Sequence, residues 1–190
     1  IYDSAGLTLE ETVELIARAW RSGRRVVRLH SGDPSLYGAL REQIEALDGL
    51  GIPWAVVPGV SSFLAAAAAL GREYTVPGTT QTLILTRLEG RTPVPAAEKL
   101  ADLARHRASL CVFLSVHMID QVVEELRQEY PPSTPVAVVE RVSWPDERII
   151  RGGLADIAER VKEAGVNRTA LILVGDFLAA PAVRSRLYSG

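Results

Sequence analysis

The segment His30-Ser31-Gly32-Asp33-Pro34-Ser35-Leu36-Tyr37-Gly38 follows a short apolar run containing Val26, Val27 and Leu29. A glycine at such a point lets backbone come close to a ligand. A helix beginning there presents free amides and the positive end of its dipole, which suits a carboxylate, a ribose or a phosphate. The plainer alternative is a tight turn, with Asp33 capping the next helix and Pro34 at its first position. The residues alone leave both open. With no lysine, the segment is not a Gly-Lys-Ser/Thr phosphate loop. Pro58-Gly59-Val60-Ser61-Ser62 repeats the arrangement after a second apolar run, 54–57. Ser61 or Ser62 either caps a helix or meets a ligand. The surrounding residues are not the Gly-x-Ser-x-Gly of a nucleophile elbow.

Thr86-Arg87-Leu88-Glu89-Gly90-Arg91-Thr92-Pro93 places two arginines and a glutamate after a third apolar run. Guanidinium groups pair bidentately with carboxylates. Arg87 and Arg91 therefore suit a polycarboxylate substrate, or else a solvated loop with an internal ion pair. His30 and His117 both follow expected strands, where each can donate a proton or a hydrogen bond. His106 falls on a polar helix face and is expected to be solvated. The three histidines lie on separate elements, with no His-x-x-x-His pair and no cysteine partner, so no metal site is expected.

These residues need elements to position them. Thr8-Leu9-Glu10-Glu11 is a capping box, and Leu9, Val13, Ile16, Ala17 and Trp20 continue at helical spacing until Gly23. Strands are expected over 25–30 and 54–57. A helix is expected after Pro34 through Leu36, Leu40, Ile44 and Leu47, and another over 61–70. Alternation of strand and helix points to a parallel sheet. Pro77 and Gly78 then mark a linker. Beyond it comes a second pattern: strands over 82–87, 110–114, 135–141, 147–152 and 169–174, with helices over 98–106, 119–130 and 154–164. Ser143-Trp144-Pro145-Asp146 joins two of these strands as a hairpin. The chain thus reads as two small α/β domains, 1–76 and 77–190, with ligands expected in a cleft between them, outside the carboxyl ends of the strands. The tail from Asp176 has little pattern.

Composition narrows the partners. The chain has 190 residues, enough for one domain or two small ones at ~100–200 residues each. With 47% hydrophobic residues it can fill a core. Lys+Arg 21 against Asp+Glu 23 leaves a net charge of -2, so there is no basic excess for nucleic acid. No apolar run reaches the ~20 residues of a membrane helix, and no secretory leader is visible. The single cysteine, Cys111, excludes an internal disulfide and fits a cytoplasmic protein.

Taken together, residues 27–38, 56–62, 86–95, 113–117, 143–146 and 168–175 resemble the tetrapyrrole (corrin/porphyrin) methylases. The resemblance runs to about Phe177. The Gly-Asp-Pro and Pro-Gly-Val-Ser-Ser loops are shared across the family. The 86–93 loop and residues 113–117 resemble the branch that methylates precorrin-4, or cobalt-precorrin-4, at C11 in cobalamin synthesis.

The resemblance implies a homodimer of two-domain subunits that transfers a methyl group from S-adenosylmethionine to a ring carbon of a tetrapyrrole. By matching motifs, Ser31, Gly32, Asp33 and Leu36 would hold the methionine and ribose part of the cofactor, with Ser61 and Ser62 contacting it from the next loop. Leu114, Val142, Thr169 and Ala170 would surround its adenine and sulfonium end. His30, Arg87, Arg91 and His117 remain for the substrate, and no residue is marked as a catalytic base. Family members open with a strand and a Gly-x-Gly-Pro-Gly-Asp loop. This chain opens on Ile1-Tyr2-Asp3-Ser4 with no counterpart, so its first sheet is expected to lack the first strand unit. Two other readings stand beside this one: methylation at a different ring position, and a non-catalytic ligand-binding module of the same fold.

Overall fold

The computed structural model describes residues 1–181; the expected tail beyond Pro181 lies outside the described residues. The chain divides into two compact units, Ile1–Ser62 and Phe63–Gly190.

In the first unit, helix α1 (Leu9–Arg21) begins as its capping box requires. Thr8 Oγ1 accepts from the Glu11 amide at 3.2 Å, and the Thr8 amide donates to Glu11 Oε2 at 2.8 Å. Gly23, at φ 76, ends the helix by donating to the Trp20 carbonyl. Helix α2 (Leu40–Gly49) corrects an expectation. It starts six residues after Pro34, and residues 34–37 form turns instead. Tyr37 and Ala39 take left-handed φ values of 55 and 48, which no helix running from Pro34 can contain. Asp33 therefore caps no α-helix.

The strands expected over 25–30 and 54–57 are likewise absent as strands. Among the described residues no backbone hydrogen bond joins the two segments, and a strand exists only as part of a ladder. Their apolar side chains are correspondingly open, with Val27 71%, Leu29 79% and Val57 79% exposed.

Helix α3 (Ser62–Leu70) leads into the second unit. The boundary between the units lies ahead of the linker at Pro77 and Gly78 because residues 63–74 pack within the second unit. Phe63 meets Tyr74 and Phe113 at ring distances of 6.0 and 6.5 Å, and Tyr74 meets Phe177 at 4.9 Å. The second unit is built on a five-stranded mixed sheet: β1 (Leu83–Arg87), β2 (Ser109–Phe113), β3 (Pro135–Glu140), β4 (Arg148–Gly153) and β5 (Ala170–Val174). Its order is β1-β2-β5-β3-β4. Of the paired strands, β1 and β2 are parallel and the other three pairs are antiparallel, with β3 and β4 forming the expected hairpin.

Leu110 and Val112, Val136 and Val138, and Ile172 and Val174 turn to one face. There they pack on α4 (Leu100–Ala104), α5 (Ile119–Leu126) and α6 (Ile157–Glu163), all shorter than their expected spans. Burial of these apolar faces is the main source of stability. Cys111, Ala137, Val139 and Leu173 are buried as well. Burial pushes the Cys111 thiol up to about 12, so it stays a neutral core group.

Candidate functional site

The first unit brings two of its candidate loops into backbone contact. Gly32 takes φ 109, which L side chains rarely adopt, and a Cβ there would lie 3.4 Å from both the Ser61 Cα and the Val60 carbonyl oxygen. A Cβ on Gly59 would lie 2.4 Å from the Gly32 carbonyl oxygen. Both positions therefore require glycine. Asp33 ties the loops together. Its Oδ1 accepts from the Ser35 amide at 2.8 Å, and its Oδ2 accepts from the Gly59 amide at 2.9 Å. The Ser35 hydroxyl, the Gly59 amide and the Ser35 amide hold the Asp33 carboxyl below the usual carboxylate range. Ser31 is exposed, Gly32 and Leu36 are half-buried, and Ser61 is buried directly ahead of α3, which Ser62 opens. His30 is half-buried; desolvation first, and the nearby Arg28 charge second, lower its pKa.

In the second unit the candidates collect at one end of the sheet. Parallel pairing sets Arg87 beside Phe113, and antiparallel pairing sets Glu140 beside Ala170. The exits of β1, β2 and β3 and the entry of β5 therefore share that end. Four residues there hold left-handed backbone without being glycine: Leu114 (φ 55), Arg141 (φ 48), Ser143 (φ 66) and Thr169 (φ 53). Such conformations cost of order 1–3 kcal/mol each and collect at ligand sites. The Arg141 amide donates to the Thr169 carbonyl at 2.9 Å, which puts two of them side by side. Leu114 is 63% exposed, Thr169 is exposed, and Val142 and Ala170 are half-buried. His117 is exposed in a 3-10 turn, Val116–Met118, just beyond Leu114.

Arg87 is engaged within its own loop. One terminal nitrogen donates to the carbonyls of Leu88 at 3.1 Å and Thr92 at 3.0 Å, and the other to Pro93 at 3.0 Å. Arg91 is exposed and forms no ion pair among the described residues. His106 is exposed, as expected, but lies in the turn that follows α4 rather than on the helix.

Two features of this end escaped the sequence. Ser115 is fully buried, and its hydroxyl accepts from the Leu88 amide at 2.9 Å while donating to the Phe113 carbonyl at 2.7 Å. The strain at Arg141 and Ser143 carries no sequence signal, since neither is a glycine; Arg141 is held there by an ion pair with Asp146. Among the described residues no group of three His, Cys, Asp or Glu side chains could hold a metal, and no helix is long and apolar enough to cross a membrane.

Residues 1–158 match the family model for tetrapyrrole (corrin/porphyrin) methylases. The chain belongs to this family. Among curated methylases, the cobalt-precorrin-4 C(11)-methyltransferase of Methanocaldococcus jannaschii is 54% identical, over 94% of this chain and 69% of its own length. The precorrin-4 C(11)-methyltransferase of Mycobacterium tuberculosis is 54% identical, over 100% of this chain and 76% of its own. An X-ray structure of a cobalt precorrin-4 methyltransferase, a cobalamin biosynthetic enzyme, superposes with a TM-score of 0.89 at 44% identity, covering 95% of this chain and 75% of that one. The uroporphyrin-III C-methyltransferase of Thermus thermophilus, crystallised with S-adenosyl homocysteine, superposes at 0.73 with 31% identity, covering 90% and 74%.

Proposed function

We propose that this chain methylates precorrin-4, or its cobalt form, at C11 with S-adenosylmethionine as donor. One observation carries the reading. Relatives from an archaeon and a bacterium, each 54% identical over nearly all of this chain, bear the same C11 name. The uroporphyrin-III methylase stands at 31%. Both cobalt and cobalt-free names occur at equal identity, so the reading covers both substrates.

The residues fit the donor. Gly32 and Gly59 let the two candidate loops meet backbone to backbone, with no Cβ between them. In the first unit Ser31, Gly32, Asp33, Leu36, Ser61 and Ser62 would contact it. Leu114, Val142, Thr169 and Ala170 are the candidate donor contacts of the second unit, Leu114 and Thr169 on left-handed backbone. Bound S-adenosylmethionine supplies a sulfonium methyl that an electron-rich carbon can accept.

The protein's work is then to orient and to exclude water. Asp33 keeps its loop fixed through Gly59. Arg91 offers an unpaired charge to a substrate carboxylate, with His30 and His117 as hydrogen-bond partners. Cytoplasmic location and a homodimer belong to the same reading.

A paired measurement on the full-length protein tests it. Calorimetry with S-adenosylhomocysteine should show binding, and precorrin-4 should gain one methyl. Binding without transfer would leave a ligand-binding module; transfer to uroporphyrinogen III but not to precorrin-4 would move the chain to another ring position.

A further inference from the structure

We infer that Arg87 is a positioning residue: its guanidinium folds the 88–93 turn so that Arg91 alone meets a substrate carboxylate. The inference rests on the polycarboxylate substrate proposed above. Arg87 is half-buried, and three of its five N–H groups are spent on the carbonyls of Leu88, Thr92 and Pro93. These partners flank Arg91 on both sides in sequence. One planar fork thereby closes the loop over itself, and the carbonyl dipoles take up the charge that a substrate would otherwise use.

The base of the loop is fixed independently. Leu88 is buried, and its amide donates to Ser115 Oγ, which is itself anchored on the Phe113 carbonyl. Between these two fastenings Glu89, Gly90 and Arg91 project as an exposed tip. Arg91 thus presents a guanidinium on ordered backbone, which lowers the ordering cost of binding. A lysine at 87 keeps the charge but lacks the planar fork that reaches three carbonyls.

The test is a double-mutant cycle in the full-length protein with Arg87→Lys, Arg91→Ala and the pair, plus Arg91→Lys. Arg91→Ala should raise substrate KM about tenfold, as loss of one charge-assisted contact does. It should leave S-adenosylhomocysteine affinity alone and flatten the salt dependence of KM. Arg91→Lys should recover part of this. Arg87→Lys should raise KM by a comparable factor despite its charge, and should add nothing in the Arg91→Ala background. Unchanged KM in Arg87→Lys, or effects of the two single variants that multiply, overturns the proposal.

A second readout needs no substrate. Trypsin cleavage after Arg91 should be several-fold faster in Arg87→Gln than in the parent, since an unfastened loop is cut more readily. Equal cleavage rates overturn the positioning role even if the parent methylates no tetrapyrrole, a result that would defeat the functional reading separately.

Discussion

Ser115 shows how much a single hydroxyl can decide. It joins the exits of β1 and β2, which lie 27 residues apart at Leu88 and Ser115. Ser115→Ala leaves the buried Leu88 amide without an acceptor, so a loss of about 1–3 kcal/mol is expected in denaturant unfolding. A change below about 0.5 kcal/mol would show that the amide finds another partner. Asp33 carries a pH signature. Its pKa in the fold lies below that of the unfolded chain. Its contribution is therefore complete above the unfolded value of ~3.9 and fades as pH falls through the folded value. Asp33→Asn should be less stable than the parent at neutral pH and should converge with it in acid; a gap that widens as pH falls contradicts the Gly59 tie. The sequence marked Gly32 and Asp33, and the loop that contains Gly59, but could not pair them. Their contact closes over 26 residues, and no local rule specifies such a partner. A buried serine at a strand exit looks like any other, which is why Ser115 went unseen.

The elements divide by how local their determinants are. The capping box of α1 and the hairpin of β3 and β4 are written in adjacent residues, and both appear as expected. All five strands of the second unit were legible, four as apolar runs that find a partner and β4, Arg-Ile-Ile-Arg-Gly-Gly, as the second arm of a hairpin. The 25–30 and 54–57 runs are as apolar, yet within the described residues they pair with nothing, and pairing is what a strand needs. The misplaced start of α2 has another cause. Asp33-Pro34 has the composition of a helix start, but Asp33 is drawn to Gly59 and Tyr37 turns left-handed. At the strained end of the sheet, strain and function should separate. Leu114 is mostly exposed at φ 55, so Leu114→Gly loses little packing and relieves up to about 1 kcal/mol of backbone strain. Thermal unfolding should occur at an equal or higher temperature, while S-adenosylhomocysteine binds more weakly. A large drop in melting temperature would count against relieved strain, and unchanged affinity would count against a cofactor contact by the Leu114 side chain.

At the scale of the molecule, a net charge of only -2 says little about the partner. The charge proposed to meet the substrate is one exposed arginine, Arg91, which disappears in a sum of 21 against 23. Family membership rested on several loops read together, because each alone had a simpler explanation as a turn or a cap. The change of pattern near Pro77 and Gly78 pointed to two units, but the packing that sets their boundary was not legible. The contacts of Phe63, Tyr74, Phe113 and Phe177 join residues far apart in the chain, Tyr74 to Phe177 the farthest. The most direct test of the whole account is the position of the transferred methyl. Full-length protein should be given precorrin-4 and S-adenosylmethionine carrying carbon-13 in its methyl group, and the product read by NMR. Carbon-13 on a methyl at C11 is the expected result; label at any other ring carbon, or an unlabelled product, contradicts it.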